Sequence, residues 1–114
     1  MKTLGHVTID PAGHVLKTGF LRFESPTGCS GLVRVKDSAV EILAITARQH
    51  GRGMFRNFIR QLKAEADQIT IYEIWNPFLE LVLHRYSFTP CTEVQSIEGH
   101  VEILTGMRWH KQQN

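Results

Sequence analysis

The feature that most constrains this fold is a change of hydrophobic period at Gly53. Before Gly53, apolar residues tend to alternate with polar ones, which is typical of half-buried strands. After Gly53, apolar residues recur about every 3.6 residues, as on one face of a helix. These positions are Phe55, Phe58, Ile59, Leu62 and Ala66. The sequence therefore predicts a strand, a glycine-containing loop, and a helix that ends near Asp67 and docks on a sheet.

Turn residues divide the rest of the chain into short segments. The predicted strands before the loop are 7–10, 15–17, 20–23, 32–35 and 39–46. The prediction for the rest of the chain is a strand at 69–75, a helix at 77–86 and two strands within 94–109 that are joined near Glu98-Gly99-His100. Asn76 followed by Pro77 is typical of a helix N-terminus. Because apolar residues nearly encircle this second helix, we expect most of its surface to be buried.

Length and charge limit the classes of function. With 114 residues and 42% hydrophobic content, the chain can form one core, and we predict a single α+β domain over residues 1–114. A net charge of +2, from 13 basic and 11 acidic residues, gives no field that would hold the chain on nucleic acid or an anionic membrane. The N-terminus lacks a signal-peptide apolar region, so we expect a cytoplasmic protein. The cysteines and histidines lack metal-ligand spacing, so no metal site is predicted.

The loop before the first helix has the composition of an anion-binding site. Gly51 and Gly53 allow close approach of the backbone, and the helix start offers free N–H groups and a positive dipole end. Arg48, Arg52 and Arg56 would add charge-assisted bonds to a phosphate. The alternative is a tight strand-to-helix turn beside a solvated basic face. Neither the P-loop pattern nor the dinucleotide pattern GxGxxG fits the loop.

Two segments, one on each side of the first predicted helix, carry spaced motifs. Leu43-Ala44-Ile45 is followed by His50-Gly51-Arg52-Gly53, and this order of strand, loop and glycines resembles a motif of the GNAT family of N-acetyltransferases. The interval from Asn76 to Phe88 is similar to a second family motif, with Arg85 and Ser87 at its lysine and glycine positions. The resemblance implies an α+β fold with a GNAT-like mixed, mainly antiparallel central sheet flanked by helices.

The resemblance also implies acetyl-CoA as cofactor. Ala44 and Ile45 would lie along the pantetheine arm, and the Ile45 N–H would stabilise an oxyanion. The residues expected around the pyrophosphate are His50, Gly51, Arg52, Gly53, Met54, Phe55 and Arg56. Asn76, from the second motif, completes the expected cofactor-binding set.

The candidates for the catalytic base are glutamates of the two strands beside the motifs. Glu73 and Glu41 are the candidates, because a glutamate of raised pKa, or one acting through water, can deprotonate an amine. The alternative is that both are solvent-facing strand residues. Two positions depart from the family pattern, because Leu83 replaces a tyrosine that acts as the acid and Phe55 replaces a small residue.

Three functions are compatible with the sequence. The first is an acetyl-CoA-dependent N-acyltransferase acting on an amine of a small molecule or a protein. The second is a catalytically inactive binding or assembly module of the same family. The third is a nucleic-acid module that uses a basic helical stripe, which the near-neutral charge disfavours. The short N-terminal half, where the family usually has helices, is compatible with a homodimer that completes the acceptor site.

Overall fold

A computed structural model of the chain describes residues 8–14, 20–47, 53–74, 76–97 and 99–111. These residues form seven strands and two helices. The strands are β1 (Thr8–His14), β2 (Leu21–Glu24), β3 (Cys29–Lys36), β4 (Ala39–Ala47), β5 (Gln68–Tyr72), β6 (Thr89–Ile97) and β7 (His100–His110). The helices are α1 (Met54–Glu65) and α2 (Pro77–Arg85).

The described strands form one mixed sheet in the order β1-β2-β3-β4-β5-β7-β6. Five of its six neighbouring pairs are antiparallel, and β4 with β5 is the parallel pair. Parallel neighbours need a crossover connection, and α1 supplies it between β4 and β5. The period change at Gly53 therefore marks the start of the crossover helix, and the predicted helix after Gly53 is confirmed.

The apolar stripe of α1 packs on the sheet. Phe55, Phe58, Ile59 and Leu62 are buried, and the Phe58 ring stacks on Phe23 with centroids 5.5 Å apart. Each fully buried side chain of this size contributes roughly 1.5–3 kcal/mol relative to exposure. Packing of this stripe therefore fixes the position of α1 on the sheet.

Both helices pack on the same face of the sheet. One apolar cluster joins the α1 stripe and Leu79 and Leu83 of α2 to the inward-facing strand residues. The strand members alternate in sequence, as Ile69 and Ile71 do in β5. The predicted GNAT-like fold, with its sheet flanked by helices, is therefore wrong. The described residues form a small, strand-rich α+β domain whose opposite face packs polar side chains without a helix.

Helix α2 confirms one prediction and contradicts another. The Asn76 side chain caps it and Pro77 is its first residue, as expected. However, Phe78 and Leu81 are 63% and 60% exposed, so the expectation of a largely buried helix is wrong. Only Leu79 and Leu83 are buried, because α2 contacts the sheet along a single stripe. Neither described helix is long and apolar enough to span a membrane.

Candidate functional site

A cleft opens where the two parallel strands separate. β4 and β5 pair from Ala39 with Gln68 as far as Leu43 with Tyr72, and then diverge. The space between them is about 600 Å³. Its lining residues are Ile45, Thr46, Ala47, Glu73, Ile74, Asn76, Pro77, Phe78 and Leu79. Crevices at the carboxyl ends of parallel strands are frequent ligand sites in α/β sheets, which makes this cleft the candidate site.

A bulge in β4 turns one wall of the cleft away from β5. Between the pairs Ser30–Thr46 and Leu32–Leu43, β3 advances two residues and β4 advances three. The extra residue brings Ala44 to a φ of 57°. Gly31 lies opposite, where an added Cβ would come within 2.9 Å of the Ala44 carbonyl oxygen. The bulge therefore needs the close approach that glycine allows, and it redirects the backbone at Ile45.

The other wall turns at Glu73. This residue follows the last β5 pair with a φ of 54°, and its N–H donates to the Thr105 carbonyl at 2.8 Å. Left-handed backbone at a non-glycine residue is strained and is concentrated at functional positions. The Glu73 side chain is exposed and lines the cleft. The structure therefore brings Ile45, a predicted oxyanion donor, to the same cleft as Glu73, a predicted base.

The N-terminus of α1 begins at a residue that cannot cap it. Gly53 is the N-cap residue with a φ of 71°, it has no side chain to accept a hydrogen bond, and the first turn of the helix contains no acid. The Arg56 side chain passes close to Gly53, since an added Cβ there would lie 3.0 Å from Nη2. Free N–H groups beside a guanidinium favour an anion. His50, Gly51 and Arg52, also predicted for this site, lie outside the described residues.

The N-terminus of α2 contributes to the cleft in a different way. Asn76 Oδ1 accepts a hydrogen bond from the Phe78 N–H at 2.9 Å. This oxygen therefore caps α2, and Asn76 lines the cleft while it does so. Pro77 and Phe78 extend an apolar wall from this point. Asn76 thus lines the cleft while it makes the helix-capping contact that the Asn76-Pro77 pattern predicts.

Other predicted site residues lie away from the cleft wall. Phe55 is buried in the core and Met54 packs against it, so both side chains serve α1 docking. Ala44 is exposed at the bulge, and Arg56 is exposed on α1. Leu83, at the position where the family has a tyrosine, is fully buried in the core. Because residue 83 is a buried leucine, it contributes no hydroxyl to the cleft.

Glu41 lies on the sheet face opposite the helices, in a cluster of polar side chains. Arg34 donates to it through Nε at 3.1 Å and Nη2 at 2.9 Å, a two-bond ion pair. The Tyr72 hydroxyl lies 3.0 Å from Glu41 Oε2 and 2.8 Å from Glu93 Oε2. Arg108 forms an ion pair with Glu93 and donates to Thr70 at 2.8 Å. Glu41 is thus an ion-paired residue apart from the cleft lining.

The surroundings of this cluster shift the pKa values of two members. Burial alone would raise the pKa of Glu41, but the Arg34 and Tyr72 hydrogen bonds and the Arg34 charge outweigh burial and lower it. Burial, reinforced by the contact with Glu41, raises the pKa of Tyr72 to about 12. At neutral pH the cluster therefore contains a carboxylate held ionised and a phenol held neutral. A low pKa is the opposite of what a general base for an ammonium needs.

Sequence reasoning missed the polar cluster and the residues Thr46, Ile74 and Phe78 of the cleft. The alternation Val33-Arg34-Val35 and Val40-Glu41-Ile42 was the available signal, because it places Arg34 and Glu41 on the face opposite the core. The partners Glu93 and Gln95 are more than 50 residues further along the chain, and no local pattern connects them.

The described residues contain no group of three or more His, Cys, Asp or Glu side chains placed to hold a metal ion. No protein-family model matches the chain, and no curated protein matches it.

Proposed function

We propose that this chain binds acyl-CoA in the cleft between β4 and β5 and transfers the acyl group to an amine. The single observation that carries the proposal is the cleft, which places an exposed carboxylate, Glu73, opposite the redirected backbone at Ile45. Membership of the GNAT family stays a prediction from the two sequence motifs, and it supplies the identity of the cofactor.

The chemistry of the walls fits such a ligand. Ile45, Ala47, Ile74 and Leu79 give the cleft an apolar lining suited to a thin, weakly polar arm. Six peptide units connect Ala47 to Gly53, so these two residues lie at most about 22 Å apart. Helix α1 starts there, and its N-cap residue Gly53 has no side chain to occupy the helix N–H groups, which suits a phosphate. An elongated ligand with an apolar arm and a phosphate end thus matches both features.

The cleft residues have defined roles in this proposal. When bound, acetyl-CoA would supply a thioester carbonyl for attack by the neutral amine: a C–N bond would form, the C–S bond would break, and the second proton of the attacking nitrogen would pass to the departing thiolate, directly or through water. Glu73 accepts the ammonium proton, directly or through water, before the attack. The Ile45 N–H donates to the carbonyl oxygen as negative charge develops there. Leu83 supplies no acid, and a thiol pKa of about 8.5 makes the thiolate a tolerable leaving group near neutral pH.

The proposal is tested by titrating acetyl-CoA and CoA into the protein by calorimetry. Thr46→Trp fills the cleft from an exposed strand position, and Thr92→Trp makes the same change on β6, away from the lining. We expect binding to the unmodified chain and to Thr92→Trp, with an affinity loss of at least about ten-fold in Thr46→Trp. Absence of binding at millimolar ligand, or an equal loss in both variants, would overturn the proposal.

A binding module without catalysis is the second candidate. Leu83 favours it, because a leucine has no proton to give to a thiolate, and this one is buried in the core. Incubation of the unmodified chain with acetyl-CoA and a panel of small-molecule and peptide amines distinguishes the two candidate functions. Acylation of any amine supports the enzyme, whereas CoA binding without acylation supports the binding module.

A further inference from the structure

The polar cluster on the open face of the sheet connects strands that are not neighbours. Its members, here called the Tyr72 cluster, are Arg34, Glu41, Thr70, Tyr72, Glu93, Gln95 and Arg108. Arg34 on β3 donates through Nη2 to Gln95 Oε1 on β6 at 3.2 Å. Gln95 Nε2 in turn lies 3.3 Å from Glu41 Oε2 on β4. The edge strand β6 is thereby bonded to the middle of the sheet.

These contacts require a strongly curved sheet. β3 and β6 are four positions apart in the strand order, which is about 19 Å in a flat sheet. Side chains stand roughly perpendicular to a sheet, so those of β3 and β6 would not meet across a flat one. The short Arg34–Gln95 contact shows that the sheet is curved, with the face opposite the helices on the concave side around the cluster.

Many polar groups of the Tyr72 cluster are paired with one another, and the Arg34 guanidinium also lies over the Phe20 ring, 4.5 Å from its centroid. Its two arginines balance its two glutamates, and the Tyr72 residue is fully buried. The tyrosine has one hydroxyl proton, which it donates to either Glu41 or Glu93. Gln95 Nε2 lies within 3.3 Å of Glu41 Oε2, the Tyr72 hydroxyl oxygen and Glu93 Oε2. A cluster whose charges balance and whose polar groups bond to one another is stabilised by its own contacts. These contacts join side chains of β3, β4, β5, β6 and β7.

The cluster adjoins the point where the cleft begins. Tyr72 and Leu43 form the last β4–β5 pair, and Glu41 lies two residues before Leu43 on the same face. The next residue after Tyr72 is Glu73, whose backbone turns into the cleft. We propose that the Tyr72 cluster stabilises the curvature of the sheet and thereby holds Glu73 and the mouth of the cleft in position. The effect on ligand binding rests on the proposed function; the effect on the Glu73 turn does not.

Amide hydrogen exchange tests this role of the cluster without any ligand. Tyr72→Phe removes the hydroxyl and keeps the ring, and Tyr86→Phe is the matched control at the chain's second tyrosine, on the helix side. The Glu73 N–H, bonded to Thr105, reports on the turn, and the Ala66 N–H, bonded to Leu62, reports on the end of α1. We expect Tyr72→Phe to speed exchange at Glu73 at least about ten-fold more than at Ala66, and Tyr86→Phe not to do so.

Glu93→Gln provides a second route if Tyr72→Phe does not fold, because it removes a charge at the partly exposed rim of the cluster. We expect the same selective increase at Glu73, and a CoA affinity at least about ten-fold weaker in either folded variant. Exchange that rises equally at both amides, or at neither, would show a cluster that only stabilises the fold and would overturn the inference. If the unmodified chain binds no CoA, the proposed function fails, while the exchange result still decides the inference.

Discussion

Leu43 and Tyr72 are the last paired residues of the two parallel strands, and the chain changes direction on both sides immediately after them. On one side Ala44 has a φ of 57°, and on the other Glu73 has a φ of 54°. Two left-handed residues at one level of the sheet open the cleft between the strands. The cleft is thus a consequence of backbone geometry, and its walls are held by neighbouring strands.

The close contact between β7 and β5 requires glycine at position 106. An added Cβ at Gly106 would lie 2.1 Å from the Ile71 carbonyl oxygen, whereas one at Gly99 would meet nothing within 4 Å. We expect Gly106→Ala to cost more than about 3 kcal/mol of unfolding free energy in urea, because two central strands must separate. Gly99→Ala should cost only about 1–2 kcal/mol, from its positive φ. Similar losses in the two variants would contradict the contact.

The two phenylalanines Phe58 and Phe78 should differ sharply when truncated. Phe58 is 1% exposed in the core, and Phe78 is 63% exposed on α2. Phe58→Ala leaves a cavity and should cost about 3–5 kcal/mol in urea unfolding. We expect Phe78→Ala to change stability by less than about 1 kcal/mol. A large loss in Phe78→Ala would show that α2 is buried against something that the described residues do not include.

Glu73 should be needed for acyl transfer and dispensable for ligand binding. Glu73→Gln removes the proton acceptor and keeps the size of the side chain. We expect kcat/KM to fall by about 10² to 10⁴ with the calorimetric affinity for CoA unchanged. Glu102→Gln, on the exposed part of β7, should leave both quantities unchanged. Unaltered turnover in Glu73→Gln would show that another group acts as the base.

Acid should destabilise the protein partly through Glu41. The folded pKa of this carboxyl is lowered because the Arg34 and Tyr72 contacts outweigh burial. Such a group stabilises the fold above its unfolded pKa of about 4, and that contribution is lost as pH falls through the folded pKa. We expect urea unfolding free energy to decline below about pH 4, and Glu41→Gln to lessen the decline. Glu24→Gln, at an exposed β2 position, should preserve the slope of the unmodified chain.

Alkali should destabilise the protein through Tyr72. Burial and the Glu41 contact raise the folded pKa of this phenol to about 12, compared with about 10 when unfolded. A raised folded pKa contributes stability that is complete below pH 10 and lost as pH rises through 12. Ultraviolet titration of tyrosinate should therefore show a late phase near pH 12 that disappears in Tyr72→Phe and persists in Tyr86→Phe. A single early phase would contradict the buried contact.

Local sequence determined the parts of the fold whose causes are local. The apolar stripe of 55–66 specified α1, Asn76-Pro77 specified the start of α2, and the region around Gly99 specified the turn between β6 and β7. These features depend on residues within a few positions of one another, so propensity, capping and periodicity suffice to predict them. Glu73 and Ile45 were also recognised as candidates, from their places beside the two motifs.

Tertiary structure decided which face each element uses. Both helices lie on one face of the sheet, α2 buries one stripe of its apolar surface, and Glu41 lies in an ion-paired cluster instead of the cleft. The cluster joins residues as far apart as Arg34 and Gln95, and the bulge at Ala44 depends on close approach to Gly31. Such outcomes depend on strand order, register and curvature, which arise from pairings between distant segments and leave no periodic signal in the sequence.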